Sequence, residues 1–152
     1  MDMHSLAALA GFAGANFLAA LSGAFFRPGD WYAGLAKPRW NPPNWLFGPA
    51  WSVLYSMNAL AGWLVWRADG GIGPLAIYGA SLVLNFGWSG IFFGVRRMDW
   101  AFYWLIALWA SIAVTMLAFA PHSQTALWLL VPYLAWVTFA GILNRAIWRL
   151  NA

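Results

Sequence analysis

The sequence predicts an all-α membrane protein, a bundle of five transmembrane helices with a long structured loop between helices 1 and 2. Of its 152 residues 63% are hydrophobic and only 8% are charged, whereas a soluble domain carries about 25% charged residues. Thirteen tryptophans suit the aromatic belts found at membrane surfaces. The few charges are also confined to short segments between long uncharged stretches. We expect a single domain over residues 1–152.

The uncharged stretches are long enough for five spans, because a spanning helix needs about 20 mostly apolar residues. They are residues 3–26, 40–66, 70–95 and 100–144. Pro121 divides the last stretch in two. The predicted helices are about residues 4–26, 46–66, 74–95, 100–120 and 125–148.

Each predicted helix carries a local signal. The first has small residues at four-residue spacing, which allow close packing within the bundle or between subunits: Ala7, Gly11, Ala15, Ala19 and Gly23. Pro49 and Pro74 lie in the first turns of the second and third helices, where proline is tolerated. The fourth ends at Pro121, and Pro132 predicts a kink in the fifth. The first loop, rich in proline and tryptophan, predicts a packed cap, with an anchor among lipid head groups as the alternative.

The basic residues predict an orientation. Five spans place the termini on opposite faces, and only Arg67 then lies on the N-terminal face. The C-terminal face carries Arg27, Lys37, Arg39, Arg96, Arg97, Arg145 and Arg149. The positive-inside rule places the N-terminus outside and the C-terminus in the cytoplasm, in a bacterial inner membrane, with an outer membrane as the alternative. Because the basic residues occur singly or in pairs, no nucleic-acid partner is expected.

Side chains suited to catalysis or metal binding are scarce. Cysteine is absent, and the two histidines, His4 and His122, fall at predicted helix ends. We therefore expect no catalytic set, no metal site and no resident cofactor. The residues that remain inside the spans are neutral, and interhelical hydrogen bonds are their plainest role: Asn16, Asn58, Asn85, Ser89, Thr115, Thr138 and Asn144.

Asn85 is a candidate ligand-binding residue, because Trp88 lies three residues further along the chain and shares its helix face. With Trp51 and Trp136 on two other helices, the set suits a large, flat, mostly apolar ligand. For each tryptophan the alternative is an interfacial or lipid-facing side chain. We expect that role for Trp63, Trp66, Trp104, Trp109, Trp128 and Trp148, and a place in the capping loop for Trp31, Trp40 and Trp45.

Three segments carry a family resemblance. They are WYAGLAKPRWNPPNWLFGPAWSVLY (Trp31 to Tyr55), LNFGWSGIFFG (Leu84 to Gly94) followed by RRMDWA, and PYLAWVTFAGILN (Pro132 to Asn144). In order and spacing they resemble the TspO/MBR family, the translocator proteins once called peripheral benzodiazepine receptors. The resemblance implies a membrane protein, commonly a homodimer in the lipid bilayer. It implies binding of protoporphyrin IX or a haem-like tetrapyrrole, of sterols such as cholesterol, and of isoquinoline or benzodiazepine-type drugs.

The same resemblance implies a role as translocator or sensor in tetrapyrrole traffic and stress response. The family pocket maps onto Tyr32, Trp51, Asn85, Trp88, Trp100, Trp136, Ala140 and Leu143. Lys37 or Arg39 could meet a propionate of the ligand. One alternative is light-dependent degradation of protoporphyrin through the redox-active Trp51 and Trp136, and another is a scaffold for partner proteins. Arg145 stands where sterol-binding members carry a tyrosine, so specific sterol recognition is not expected.

Overall fold

The computed structural model describes residues 1–152, and every regular element in it is helical, which confirms the predicted all-α class. The elements are α1 (Met3–Phe25), α2 (Asp30–Ala33), a 3₁₀ turn (Asn44–Leu46), α3 (Phe47–Arg67), α4 (Ile72–Ser89) with a π-helical turn (Gly90–Gly94), α5 (Met98–Phe119) and α6 (Gln124–Leu150). When the π turn is counted with α4, the bounds of the five long helices lie within two residues of the ranges predicted from the sequence.

Four of these helices are long and apolar enough to cross a membrane: α1, α4 with its π turn, α5 and α6. The fifth, α3, is long enough with its 21 residues, but its mean hydropathy is lower than that of these four. That α3 also spans the membrane remains a prediction.

Side chains cap the N-terminal ends of two helices. The Asp2 carboxylate accepts a hydrogen bond from the backbone N–H of Ser5 at 2.8 Å, and this caps α1. The Ser123 hydroxyl accepts from the N–H of Ala126 at 3.1 Å, and this caps α6. α4 instead begins after Gly71, whose φ of 75° suits a residue without a Cβ.

The long helices pack in a ring, in the order α1, α3, α6, α5, α4 and back to α1. A buried polar network joins α1, α3 and α4 inside this ring. Asn58 donates to the Oδ1 of Asn16 at 2.8 Å, and Asn16 donates to the Tyr78 hydroxyl at 2.7 Å. The Tyr78 hydroxyl donates to the carbonyl of Asn58 at 2.9 Å, so each of the three side chains is paired.

Residues 28–43, here called the cap loop, lie between α1 and the 3₁₀ turn and include α2. Tyr32 of the cap loop is buried, and its ring packs edge-on against Phe93 at 5.4 Å between centroids. Trp31 packs against Phe92 at 5.8 Å, and Trp40 against Phe139 of α6 at 5.9 Å. These aromatic contacts hold the cap loop over one end of the long helices.

Candidate ligand-binding cavity

A cavity of about 430 Å³ lies between the long helices, and the cap loop forms part of its wall. No Asp, Glu, Lys, Arg or His side chain lines it. Most of the lining is apolar, and much of it is aromatic: Phe26, Tyr32, Phe47, Trp51, Tyr55, Trp88, Phe92, Phe93 and Trp136. The volume falls within the range of about 300–1,000 Å³ that is typical of small-molecule sites. The cavity can therefore hold a ligand by ring contacts and neutral hydrogen bonds.

The structure brings together seven of the eight pocket residues named from the sequence: Tyr32, Trp51, Asn85, Trp88, Trp136, Ala140 and Leu143. Trp100 is not among them. It lies in the first turn of α5 with 55% of its surface exposed, and the Arg97 guanidinium stacks over its ring at 4.2 Å. α5 contributes Leu105 and Leu108 to the cavity instead.

Four rings from α3 and α6 pack together beside Asn85, and three of them line the cavity: Trp51, Tyr55 and Trp136. Trp51 stacks on Tyr55, one helical turn along α3, with centroids 5.4 Å apart. The Trp51 ring also meets Tyr133 and Trp136 of α6 edge-on, at 6.2 and 6.4 Å. Edge-on and offset contacts of this kind are favourable and fix ring orientation. A flat ligand would meet a rigid aromatic surface here.

Asn85 is held by the hydroxyls of two of these tyrosines. The Tyr55 hydroxyl donates to Asn85 Oδ1 at 2.6 Å, and Asn85 Nδ2 donates to the Tyr133 hydroxyl at 2.5 Å. An amide has two donor hydrogens and two acceptor lone pairs, so one of each remains unpaired. Asn85 is therefore oriented before any ligand arrives, and it retains one donor and one acceptor site.

The indole N–H groups of Trp88 and Trp136 differ in whether they have a hydrogen-bond acceptor. Trp88 donates to Asn144 Oδ1 at 3.3 Å, and Asn144 in turn donates to the carbonyl of Met98 at 2.8 Å. The Trp136 Nε1 is buried and has no acceptor. A buried donor without a partner is uncommon and costly. Trp136 is therefore a candidate donor to a polar atom of a ligand.

Tyr32 of the cap loop lines the cavity, and Lys37 lies against Tyr32. The Lys37 ammonium donates to the carbonyls of Tyr32 at 2.7 Å and Leu35 at 3.2 Å, and lies 4.4 Å above the Tyr32 ring. Burial raises the pKa of the Tyr32 hydroxyl above its ordinary value, so this group stays protonated. Arg39 is exposed and does not line the cavity.

Sequence reasoning missed Tyr55, Phe92 and Phe93, which line the cavity, and Tyr133, which lies outside the lining and accepts a hydrogen bond from Asn85. The two tyrosines could have been found, because Tyr55 lies four residues from Trp51 and Tyr133 three from Trp136. Phe92 and Phe93 both line the cavity and lie in the π turn. No feature of the sequence predicted that turn.

Comparison with known proteins covers almost the whole chain. The sequence profile of the TspO/MBR family matches residues 7–149, a range that includes every residue of the cavity. The translocator protein of Homo sapiens is 42% identical over 149 residues, which cover 93% of this chain and 88% of the relative. The tryptophan-rich protein TspO of Chlorobaculum tepidum gives the same identity and coverage. The tryptophan-rich sensory protein of Cereibacter sphaeroides is 42% identical over 132 residues, covering 87% of this chain and 84% of that protein.

Proposed function

The chain belongs to the TspO/MBR family and is an integral membrane protein, and from this premise we propose that it binds porphyrins and other large planar apolar ligands. The ligand is protoporphyrin IX or a haem-like tetrapyrrole, and the protein acts as a translocator or sensor in tetrapyrrole traffic and stress response. The observation that carries the proposal is the uncharged cavity with its aromatic walls. The names of the relatives, translocator protein and tryptophan-rich sensory protein, support the two roles.

In the proposed complex the porphyrin ring lies against the wall that includes Trp51 and Trp136. Asn85 uses its unpaired donor or acceptor, and the Trp136 N–H donates to a ligand acceptor. A propionate cannot enter the uncharged interior, because a buried carboxylate without a partner is costly. It stays at the cap loop, where the third N–H of Lys37 and the exposed Arg39 can reach it.

The same cavity offers ring contacts to isoquinoline and benzodiazepine-type drugs and to sterol-like molecules. We expect no specific recognition of cholesterol. Arg145, at the position where sterol-binding members carry a tyrosine, is exposed on α6 and lies outside the cavity. We expect sterols to bind only through non-specific apolar contact.

The proposed assembly is a homodimer in the lipid bilayer, with all five long helices spanning it. The N-terminus faces outward and the C-terminus lies in the cytoplasm of a bacterial cell, as the basic residues predict. An outer membrane is the alternative location.

Titration of the purified protein with protoporphyrin IX, followed by tryptophan fluorescence, tests the proposal. We expect the double variant Trp51→Ala, Trp136→Ala to bind at least about tenfold more weakly, because two ring contacts are lost. Trp128→Ala is the matched control, since Trp128 is 66% exposed on α6 and lies outside the cavity. Equal affinity in the double variant and the control would contradict the assigned pocket.

A second candidate function is light-dependent degradation of protoporphyrin, favoured by the edge contact of Trp51 and Trp136 at 6.4 Å. Dioxygen is the oxidant: it cleaves one methine carbon–carbon double bond, and one oxygen atom enters each resulting carbonyl. The tryptophans would pass an electron to or from the excited ring and return to their starting state. Illumination of the protein with protoporphyrin under air tests this activity. A product yield no higher than in detergent micelles alone excludes it.

A further inference from the structure

The cap loop is hydrogen-bonded to the end of α6 through a single side chain. Asn151 Oδ1 accepts from the backbone N–H of Ala36 at 2.9 Å, and Asn151 Nδ2 donates to the carbonyl of Ala36 at 2.8 Å. Apart from the bond between Leu46 and Pro43 in the adjoining 3₁₀ turn, these are the hydrogen bonds that join residues 28–43 to the rest of the chain. The cap loop also meets the rest of the chain through aromatic rings and through the Arg96 guanidinium, which lies 5.9 Å above the Trp31 ring.

The Asn151 side chain is oriented for this contact. Its Nδ2 also donates to the carbonyl of Ile147 at 2.7 Å, and its backbone N–H donates to Trp148 at 3.2 Å. The amide is thereby fixed at the C-terminal end of α6. An amide presents a donor and an acceptor side by side, so it can pair with both the N–H and the carbonyl of one residue. Alanine at this position can do neither.

The clamp formed by Asn151 and Ala36 lies beside the cavity but outside it. Neither residue lines the cavity, whereas Tyr32 of the cap loop and Ile147 of α6 do. The Lys37 ammonium bonds to Tyr32 and Leu35 within the cap loop, which makes residues 32–37 one unit. By restraining Ala36, the clamp therefore also restrains Tyr32, the cap-loop side chain buried against Phe92 and Phe93.

We propose that Asn151 is a positioning residue that keeps the cap loop closed and thereby sets the rate at which ligand enters and leaves the cavity. The clamp forms without ligand and touches no cavity surface, so it stabilises the closed loop equally in the free and loaded protein. Its loss should raise the association and dissociation rate constants by the same factor and leave the Kd unchanged. Two solvent-exposed hydrogen bonds correspond to a factor of about ten. The kinetic part of the inference rests on the proposed porphyrin binding, but the closed loop does not.

Trypsin tests the closed loop without any ligand. Arg27 and Lys37 both precede proline, which blocks trypsin, so Arg39 is the one cleavable site in residues 27–46. Cleavage needs local opening, and its rate follows the open population when reclosing is fast. We expect Asn151→Ala to release fragment 1–39 about tenfold faster than the unaltered protein. Leu150→Ala, at a neighbouring residue that is 53% exposed, should be cleaved at the unaltered rate. Equal cleavage of Asn151→Ala and the unaltered protein overturns the clamp.

Stopped-flow mixing with protoporphyrin IX tests the rates. In Asn151→Ala we expect both rate constants to rise about tenfold, with a Kd within about twofold of the unaltered value. A faster dissociation with unchanged association, and hence a weaker Kd, overturns the inference, because Asn151 would then stabilise only the loaded state. If the unaltered protein binds no protoporphyrin, the proposed function fails while the trypsin result still decides the clamp.

A covalent cross-link in place of the Asn151–Ala36 hydrogen bonds tests whether the clamp acts by keeping the cap loop closed and not by a general effect on folding. The chain has no cysteine, so Ala36→Cys with Asn151→Cys introduces the only two thiols. Unbridged, this variant should match Asn151→Ala in trypsin sensitivity and in porphyrin exchange. Joined by a short bis-maleimide, the same protein should exchange porphyrin more slowly than the unaltered chain. Equal exchange with and without the bridge overturns the inference.

Discussion

At the scale of single residues, the hydroxyl of Tyr133 helps to orient Asn85, which lines the cavity. It is 3% exposed and accepts a hydrogen bond from Asn85 at 2.5 Å. Tyr133→Phe leaves the Asn85 N–H without that acceptor in a buried site, and we expect a loss of about 1–3 kcal/mol in the free energy of unfolding. Thermal unfolding in detergent measures it. Tyr103→Phe is the control, because Tyr103 is 62% exposed; equal stability of the two variants would show that the Asn85 contact contributes nothing.

Trp100 and Trp88 provide a second test at this scale. The family resemblance assigns both to the pocket, but the structure places only Trp88 on the cavity and packs Trp100 under the Arg97 guanidinium. We expect Trp88→Ala to weaken protoporphyrin binding about tenfold through the loss of a ring contact. Trp100→Ala should keep the Kd within about twofold of the unaltered value. An equal loss in both variants would place Trp100 in the site after all.

Individual tryptophans also show how far the sequence could be interpreted. Composition predicted that the tryptophans outside the pocket and the capping loop would face lipid or the membrane surface, and Trp128 is 66% exposed. The prediction was wrong for Trp63, which is 7% exposed and donates to the carbonyl of Ser5, whereas Trp104 is half-buried and donates to the carbonyl of Leu84. A tryptophan can bury its ring wherever a neighbouring helix offers a free carbonyl. That partner depends on tertiary packing, which one chain's periodicity does not reveal.

At the scale of elements, the contact of α4 with α5 depends on the absence of a side chain at Gly87. A Cβ there would lie 2.7 Å from Cζ2 of Trp104, whose N–H bonds to the carbonyl of Leu84 at 2.6 Å. Gly87→Ala must displace the indole, and we expect a loss of about 1–3 kcal/mol in unfolding free energy. Gly79→Ala in the same helix meets nothing within 4 Å and should be neutral, or stabilising by up to about 1 kcal/mol. Thermal unfolding of the pair measures the difference, and equal stability would rule out the close contact.

The elements themselves were largely predictable, because uncharged stretches and prolines mark where long apolar helices begin and end. The site was predictable in part. Trp51, Asn85, Trp88 and Trp136 were named from their residue types and helical positions, and all four line the cavity. The π turn and the Asn151–Ala36 clamp were not predictable. The π turn is marked by no particular residue type, and the clamp joins residues 115 positions apart through one ordinary asparagine.

At the scale of the whole molecule, we expect α3 to cross the membrane as the second of five spans. Trp45 precedes α3 and Ile72 follows it, and they are 71% and 84% exposed. Because the natural chain has no cysteine, single cysteines can be placed at either position and labelled in intact cells with a membrane-impermeant maleimide. We expect Ile72→Cys to be labelled from outside and Trp45→Cys only after permeabilisation, since the positive-inside rule assigns Trp45 to the cytoplasmic face.

The two termini complete this test. Met3→Cys should be labelled like Ile72→Cys, and Ala152→Cys like Trp45→Cys, because an odd number of spans separates the ends of the chain. If α3 does not span, Trp45→Cys and Ile72→Cys will be labelled together and the termini will share one face. Seven of the eight basic residues would then no longer be gathered on one side. The electrostatic preference for a single orientation would be correspondingly weaker. The labelling pattern therefore decides both the number of spans and the physical basis of their orientation.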